Sequence, residues 1–227
     1  MSFIFRPGDP QPSAELGGKA GALAVLHGQG LPVPEWFVLL PQSFEASLGH
    51  DGQRAFSQAI SSGMDLEPIV AKIQPTPQVL RELMDALTGL CPAGELVAVR
   101  SSAHAEDGHD FSFAGQFESF LFVKREDVPG KVIGVWKSAF SDRIRIYCER
   151  HQLARPTHPP AVLIQRMVHA ESAGVAFGAD PVTGRRDLTV VSAVHGLGTA
   201  LVDGESDADS WHVDRSGKMI QSKVARK

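Results

Sequence analysis

The last third of the chain most constrains the fold, because it consists of short apolar runs separated by turn residues. From residue 161 onward these runs read AVLIQRMV, AGVAFGA, DLTVVSAV, SWHVD and MIQSKV, with no helical pattern between them. Strands that follow one another without alternating helices are typical of an antiparallel sheet. This part of the sequence therefore predicts an antiparallel sheet and the α+β class.

The first two thirds carry mainly helical patterns. After a Pro-rich lead-in that we expect to be irregular, an Ala- and Leu-rich stretch predicts a helix from about 18 to 28. Helical periods fill residues 41–90, where Thr76-Pro77 is a good pair for the N-cap and first helical position. Residues 125–151 predict one long or broken helix. Short strands are predicted at residues 36–40, at residues 96–100 and at ESFLFV.

The composition excludes several classes of protein. The 227 residues carry a net charge of −4, which does not fit a generally basic nucleic-acid binder. The hydrophobic content of 43% supports a real core, and no run approaches the roughly 20 apolar residues that span a membrane. The first residues lack the apolar region of a signal peptide. Cys91 and Cys148 have no CxxC spacing, so we expect two buried, reduced thiols in a cytoplasmic protein.

Three segments place polar groups where a phosphate could bind. Lys19 follows two glycines and opens a helix whose N-terminus favours anions, although a surface lysine after a turn fits the same pattern. Arg100 ends the buried strand VAV and needs a partner, which is either a phosphate or one of the acids at 106–118. The loop at 111–116 is either a phosphate-binding loop or a plain connector.

The remaining motifs are less specific. The sequence DPVTG at 180–184 forms a turn by its own chemistry, which suits a simple hairpin as well as a ligand loop. The segment 196–198 is too short for a dinucleotide fingerprint. We expect His104, His109 and His195 to have ordinary surface or hydrogen-bonding roles. The residues alone therefore predict an α+β protein that binds an anion or a nucleotide.

Several segments, taken in order, resemble the N-terminal ATP-binding domain of the phosphoenolpyruvate synthase and pyruvate phosphate dikinase family. Rifampicin phosphotransferases and glucan water dikinases share this domain. The segments run from about residue 16 to 204 in the order that the family shows. They are GGKAGALAVL with GLPVPEWFVL, VAVRSSAHAED, SFAGQFESFLFV, VWKSAFSDRIRIY, VLIQRMV, SAGVAFGADPVTGRRD and AVHGLGTALVDG.

The resemblance implies an ATP-grasp-like fold of two lobes, with the whole of residues 1–227 belonging to one ATP-binding domain. We expect an N-lobe at about 14–124, which includes a helical insert at about 41–90. A helical linker follows at about 125–158, and a β-rich second lobe at about 159–227, apparently incomplete at its C-terminus.

The resemblance also implies which residues bind the nucleotide. Lys19 and Arg100 would handle the β- and γ-phosphates of ATP, and Mg²⁺ would bridge the phosphates. The other contacts fall into a phosphate lid, the hinge backbone that meets adenine, and the turn after the hinge strands. They are Gly115, Gln116, Glu118 and Ser119, then Gln165, Met167 and Val168, and finally Thr183.

In this family ATP phosphorylates a histidine on a separate swivelling domain, and that histidine passes the phosphate to pyruvate or another acceptor. The histidine domain, the acceptor domain and the later metal-binding segment have no match here. The resemblance therefore implies the ATP-binding portion of such a phosphotransferase, inactive alone, with the other domains on the missing remainder or another chain. Trp36 stands where the family usually has Gly, and Ser192 and Thr199 where it usually has Glu.

The two departures from Glu and the missing metal ligands motivate an alternative, a catalytically decayed module that binds nucleotide or has a regulatory role. A third hypothesis is a plain structural domain whose motifs match by coincidence. Neither the composition nor the resemblance predicts a nucleic-acid or membrane partner.

Overall fold

The computed structural model describes residues 2–10, 15–103, 116–202 and 207–225. The chain divides into two compact units, Met1–Met167 and Val168–Lys227. Each unit contains one antiparallel sheet, and the helices are concentrated in the first unit. The predicted α+β class is therefore confirmed. Among the described residues, no helix combines the length and apolar character needed to cross a membrane.

The first unit contains a five-stranded sheet in the spatial order β1-β2-β5-β3-β4. Every neighbouring pair in this sheet is antiparallel. The late strand β5 lies in the centre, between β2 and β3. The strands are β1 (Ile4–Phe5), β2 (Trp36–Leu39), β3 (Val97–Ser102), β4 (Ser119–Val123) and β5 (Ala161–Arg166).

Helices surround this sheet, and local sequence explains where several of them begin. The hydroxyl of Thr76 accepts a hydrogen bond from the amide of Val79 at 3.4 Å, which confirms the predicted N-cap. Gly49 breaks the second helix with φ 65°. The helices are α1 (Gly17–Gly28), α2 (Gln42–Ser62), α3 (Glu67–Val70), α4 (Pro77–Leu90), a 3₁₀ turn (Arg125–Asp127), α5 (Val128–Ser138) and α6 (Asp142–His151).

Alternation along β3 sends its side chains to two different apolar layers. Val97 and Val99 belong to the larger core, which packs against α2, α4, α5 and α6. Ala98, Arg100 and Ser102 occupy the opposite face. Helix α1 packs on that second face through buried residues at its start, together with side chains of β2 and β5. The sheet therefore has α1 on one side and the other helices on the other.

Two regions differ from the sequence predictions, and a third agrees with one of the alternatives. Ile4 and Phe5 form a strand in the lead-in that we expected to be irregular, because their backbone pairs with Leu39 and Val38. Residues 125–151 contain α5 and α6, which is the broken helix that the sequence pattern allows. The first unit also includes residues 125–166, because β5 pairs with β2 and β3. The sequence predicts a linker and the start of the second lobe there.

The second unit is an antiparallel sheet whose strands neighbour one another in chain order, β6-β7-β8-β9. Leu188 and Val190 on β7 are its buried apolar residues. One short helix follows β7. The elements are β6 (Ser172–Phe177), β7 (Leu188–His195), α7 (Thr199–Val202), β8 (Asp209–Asp214) and β9 (Met219–Lys223).

Candidate functional site

The first turn of α1 is attached to the end of β3. The amide of Ala20 donates to Oγ of Ser102 at 3.0 Å, and that hydroxyl donates to the carbonyl of Leu16 at 2.6 Å. The amide of Gly18 donates to the carbonyl of Ala103 at 3.2 Å. The segments GGK and VRSS, far apart in sequence, therefore meet at one place in the fold.

Lys19 lies in this attached first turn, and the turn contains no acidic residue. A helix N-terminus carries a partial positive charge that favours anions and disfavours a lysine. Helices α2 and α6 have an acid in the first turn, Glu45 and Asp142, whereas α4 and α5 have none, as in α1. The start of α1 thus concentrates positive charge, which suits a bound anion.

Arg100 lies on the sheet face that α1 covers. It is opposite Leu163 on β5 and Ser119 on β4, and it is two residues before Ser102 on the same face of β3. Its Nε is buried and has no hydrogen-bond partner among the residues that the structure describes. A guanidinium nitrogen without a partner is costly, and a phosphate oxygen is one of the acceptors that suit it. The predicted ion pair with acids at 106–118 falls largely outside the described residues.

A cavity of about 470 Å³ lies beside the junction of α1 and β3. Gly17, Ser102 and Ala103 contribute to its lining, as do residues at the start of α2 and before β5. Neither Lys19 nor Arg100 is among the described residues that line it. Besides Ser102, the polar side chains in its lining are Glu15, Gln42, Glu45, Thr157 and His158.

The predicted phosphate lid is only partly described. Ser119 is exposed on the α1 face, directly opposite Arg100. Gln116 and Glu118 line a cavity of about 480 Å³ beside α5 and α6, where Gln116 accepts a hydrogen bond from Arg143 at 3.3 Å. Gly115 lies outside the described residues, as do His104 and His109.

The predicted adenine-binding backbone lies at the end of β5. Gln165 is opposite Trp36 and Ala98, on the same sheet face as Arg100. The amide of Met167 donates to the carbonyl of Leu96 at 2.9 Å. The carbonyl of Val168 accepts from the amide of Ala170 at 3.0 Å. The division between the two compact units falls between Met167 and Val168.

Thr183 is part of a tight turn in the second unit. Its hydroxyl donates to Oδ2 of Asp180 at 2.6 Å, and the amide of Val182 donates to Oδ1 at 2.8 Å. These hydrogen bonds, the one from Thr183 first, hold the pKa of the Asp180 carboxyl below its usual value. The carboxylate therefore stabilises the turn, and the hydroxyl of Thr183 already donates its hydrogen bond to this carboxylate.

The described side chains form no cluster of three or more His, Cys, Asp or Glu residues that could hold a metal ion. Mg²⁺ is usually held by one or two carboxylates together with substrate phosphates. The described residues therefore offer no preformed set of three metal ligands, and the phosphates would supply much of the coordination of Mg²⁺. For the phosphates of ATP, the buried Nε of Arg100 and the first turn of α1 provide groups that fit.

Sequence comparisons connect this geometry to known proteins. The phosphoenolpyruvate synthase of Aeropyrum pernix is 34% identical over 93% of this chain. The prodigiosin synthesizing transferase PigC of Serratia marcescens is also 34% identical over 93%, and the rifampicin phosphotransferase of Bacillus cereus is 31% identical over 93%. The chain spans 28%, 23% and 26% of the lengths of these relatives.

A family model agrees with the resemblance predicted from the sequence motifs. The model described as the AMP/ATP-binding domain of pyruvate phosphate dikinase matches residues 13–227. This match covers both compact units, including the junction of α1 with β3. The chain therefore belongs to the family of pyruvate phosphate dikinase AMP/ATP-binding domains.

Proposed function

We propose that this chain binds ATP and supplies the nucleotide-binding part of a phosphoenolpyruvate synthase-like phosphotransferase. In this proposal Lys19 and Arg100 contact the β- and γ-phosphates. The names of the relatives, two of which are phosphotransferases or synthases of this kind, support the assignment. Phosphoryl transfer depends on positioning and charge neutralisation more than on covalent chemistry by the protein, which suits two fixed cations.

One observation carries the proposal: Arg100 has a buried Nε without a described partner, beside a helix N-terminus that already holds Lys19. Burial of an unpaired charged nitrogen costs free energy and does not improve packing. A ligand with several anionic oxygens would satisfy the nitrogen and also offset the unfavourable position of Lys19 on its helix.

The reaction that we propose is in-line attack of a histidine, on a separate swivelling domain, on a phosphate of ATP. The phosphoryl group then passes to pyruvate or another acceptor. The role of this chain is to bind the triphosphate and orient it, and the histidine and acceptor domains lie elsewhere in a longer polypeptide or on another chain. Mg²⁺, when bound, would add positive charge on the phosphates. Two unpaired, buried thiols favour a cytoplasmic location.

We also propose that the two compact units correspond to the two lobes of an ATP-grasp-like fold. The family match across both units supports this correspondence. The predicted contacts of Gly115, Gln116, Glu118, Ser119, Gln165, Met167, Val168 and Thr183 belong to the same proposal.

Thermal unfolding with and without ATP tests the binding proposal. A ligand at about 100 times its Kd adds about 2.7 kcal/mol, or roughly 5–10 °C in Tm for a chain of this size. We expect that shift in the wild-type chain, and its loss in Lys19→Ala and Arg100→Ala. Lys72→Ala and Arg54→Ala remove exposed cations and serve as controls with an unchanged shift. Equal shifts in all five proteins would overturn the site assignment.

A decayed nucleotide-binding module is the second candidate, and Ser192 and Thr199, which stand where the family usually has Glu, favour it. Both candidates bind ATP, so transfer must be measured. ATP labelled in both terminal phosphates is mixed with the chain and a histidine-bearing domain added in trans. Acid-labile label on that domain supports the phosphotransferase, whereas ATP binding without label supports the decayed module.

A further inference from the structure

The hydroxyl of Ser102 completes the first turn of α1 from outside the helix. In an ordinary α-helix the amide of residue i bonds directly to the carbonyl of residue i−4. Here the Ser102 hydroxyl bridges the amide of Ala20 and the carbonyl of Leu16, the pair that would make that bond. Only 1% of Ser102 is exposed, so water does not replace this contact.

Two neighbouring contacts make the attachment stiffer. The amide of Gly18 donates to the carbonyl of Ala103, and Gly17 packs against the backbone of Ser102 so closely that no side chain fits. Lys19 therefore stands between two residues, Gly18 and Ala20, that are both bonded to the end of β3. The position of its backbone relative to that strand is set from both sides.

Arg100 belongs to the same strand, two residues before Ser102 and on the same face. The Ser102 bridge, which fixes the backbone of Lys19, therefore also sets the position of Lys19 relative to Arg100. We propose that Ser102 is a positioning residue that keeps these two cations in register for one triphosphate. The inference rests on the proposed function, in which Lys19 and Arg100 contact the phosphates.

Loss of the Ser102 bridge should weaken the contacts to the phosphates of the nucleotide and leave the contacts to its base unchanged. Two cations that bind one triphosphate must be placed together, and loss of a hydrogen bond to a charged group weakens binding by about 10- to 100-fold. A nucleoside without phosphates makes no use of that register. Loss of the bridge should therefore weaken ATP binding while adenosine binding stays the same.

Calorimetric titration of the chain with ATP and with adenosine tests this inference. We expect Ser102→Ala to raise the Kd for ATP by about 10- to 100-fold and to leave the Kd for adenosine unchanged. Ser102→Cys, similar in size and still a weak donor and acceptor, should give an intermediate Kd for ATP. This second variant also keeps the test decisive where Ser102→Ala does not fold.

Ser43→Ala is the matched control. Ser43 is also fully buried, and its hydroxyl donates to the carbonyl of Leu40 at 2.6 Å, the same length as the bond from Ser102 to Leu16. Its loss should lower stability without changing the ratio of the ATP and adenosine affinities. Hydrogen exchange gives a separate measurement, because only Ser102→Ala should deprotect the amides of Gly18 and Ala20.

The outcomes separate this inference from the proposed function. A wild-type chain that binds no ATP overturns both. A wild-type chain that binds ATP, together with an unchanged ratio of affinities in Ser102→Ala, overturns the positioning role alone. An equal loss of ATP and adenosine affinity in Ser102→Ala also overturns it, because a purely structural serine would produce that result.

Discussion

The carbonyl oxygen of Ser102 lies 2.0 Å from the place that a Cβ on Gly17 would occupy. Gly17 also has φ +71°, in the left-handed region that favours glycine. Glycine is required here for two independent reasons, namely close approach of two backbones and a left-handed conformation. The contact joins the start of α1 to the end of β3, where the nucleotide phosphates are proposed to bind.

Gly17→Ala should therefore lower the free energy of unfolding by at least about 2 kcal/mol, from left-handed strain and displaced backbone together. Urea denaturation measures this loss. Gly21→Ala in the same helix is the control, because nothing lies within 4 Å of its Cβ position. Alanine should there stabilise the chain by about 0.5–1 kcal/mol. Similar effects of the two substitutions would contradict the close approach.

Arg100→Met should separate stability from binding. The variant removes a buried nitrogen without a described partner, so the ligand-free chain should gain about 1 kcal/mol in unfolding free energy. The increase in Tm on adding ATP should disappear in the same variant. Differential scanning fluorimetry with and without ATP measures both quantities.

Arg54→Met is the control for this change of residue type. Arg54 is 71% exposed and pairs with Asp51 on the surface, so its replacement should alter neither quantity appreciably. A ligand-free Arg100→Met chain that is less stable than wild type would mean that Arg100 has a structural partner, and it would weaken the phosphate assignment.

Local chemistry made several elements predictable. The Ala- and Leu-rich stretch after two glycines becomes α1, and Thr76-Pro77 begins α4 as its cap pattern indicated. The run of turn-separated apolar segments becomes the strands β5 to β9. These predictions succeed because propensity, capping and periodicity act over a few residues, and the same few residues decide the structure.

The remaining features depend on contacts between distant residues. The sequence of β5 does not indicate that this strand lies between β2 and β3. Strand β1 forms because the backbone of Ile4 pairs with that of Leu39 at the edge of β2. The bridge made by Ser102 is also a long-range contact that no local pattern predicts. Two consecutive serines at the end of a buried strand are a usable signal, because a buried hydroxyl needs a partner.

Asp180→Asn should make the free energy of unfolding less sensitive to a fall in pH. The hydrogen bonds from Thr183 and Val182 lower the pKa of this carboxyl in the folded state. A lowered folded pKa contributes stability above the unfolded value of about 3.9, and the contribution disappears as the pH falls through the folded pKa. Urea denaturation should therefore show a smaller difference in unfolding free energy between pH 7 and pH 3 for the variant than for the wild-type chain.

Asp187→Asn is a useful comparison, because this carboxylate pairs with Arg185 on the exposed side of the same turn. Its pKa is also lowered, by the Arg185 side chain, so a surface pair and a turn-forming carboxylate can be compared directly. We expect the larger loss of stability at pH 7 for Asp180→Asn. A larger loss for Asp187→Asn would contradict the turn-stabilising role of Asp180.

Cys91 and Cys148 should react with thiol reagents only when the chain unfolds. Both are free and buried, and burial raises the pKa of each thiol in the folded state. The reactive thiolate is therefore scarce at pH 8, and access is blocked as well. We expect an aromatic disulfide reagent to modify both thiols at once in 6 M guanidinium but slowly in buffer.

The raised pKa values of the two thiols also predict how the free energy of unfolding changes at alkaline pH. A group whose folded pKa exceeds its unfolded value contributes stability below the unfolded pKa, near 8.5 for cysteine, and loses it as the pH rises through the folded value. Unfolding free energy measured from pH 7.5 to 10 should therefore fall less steeply in Cys91→Ala/Cys148→Ala than in the wild-type chain. Parallel curves would mean that the thiols do not contribute to the alkaline loss.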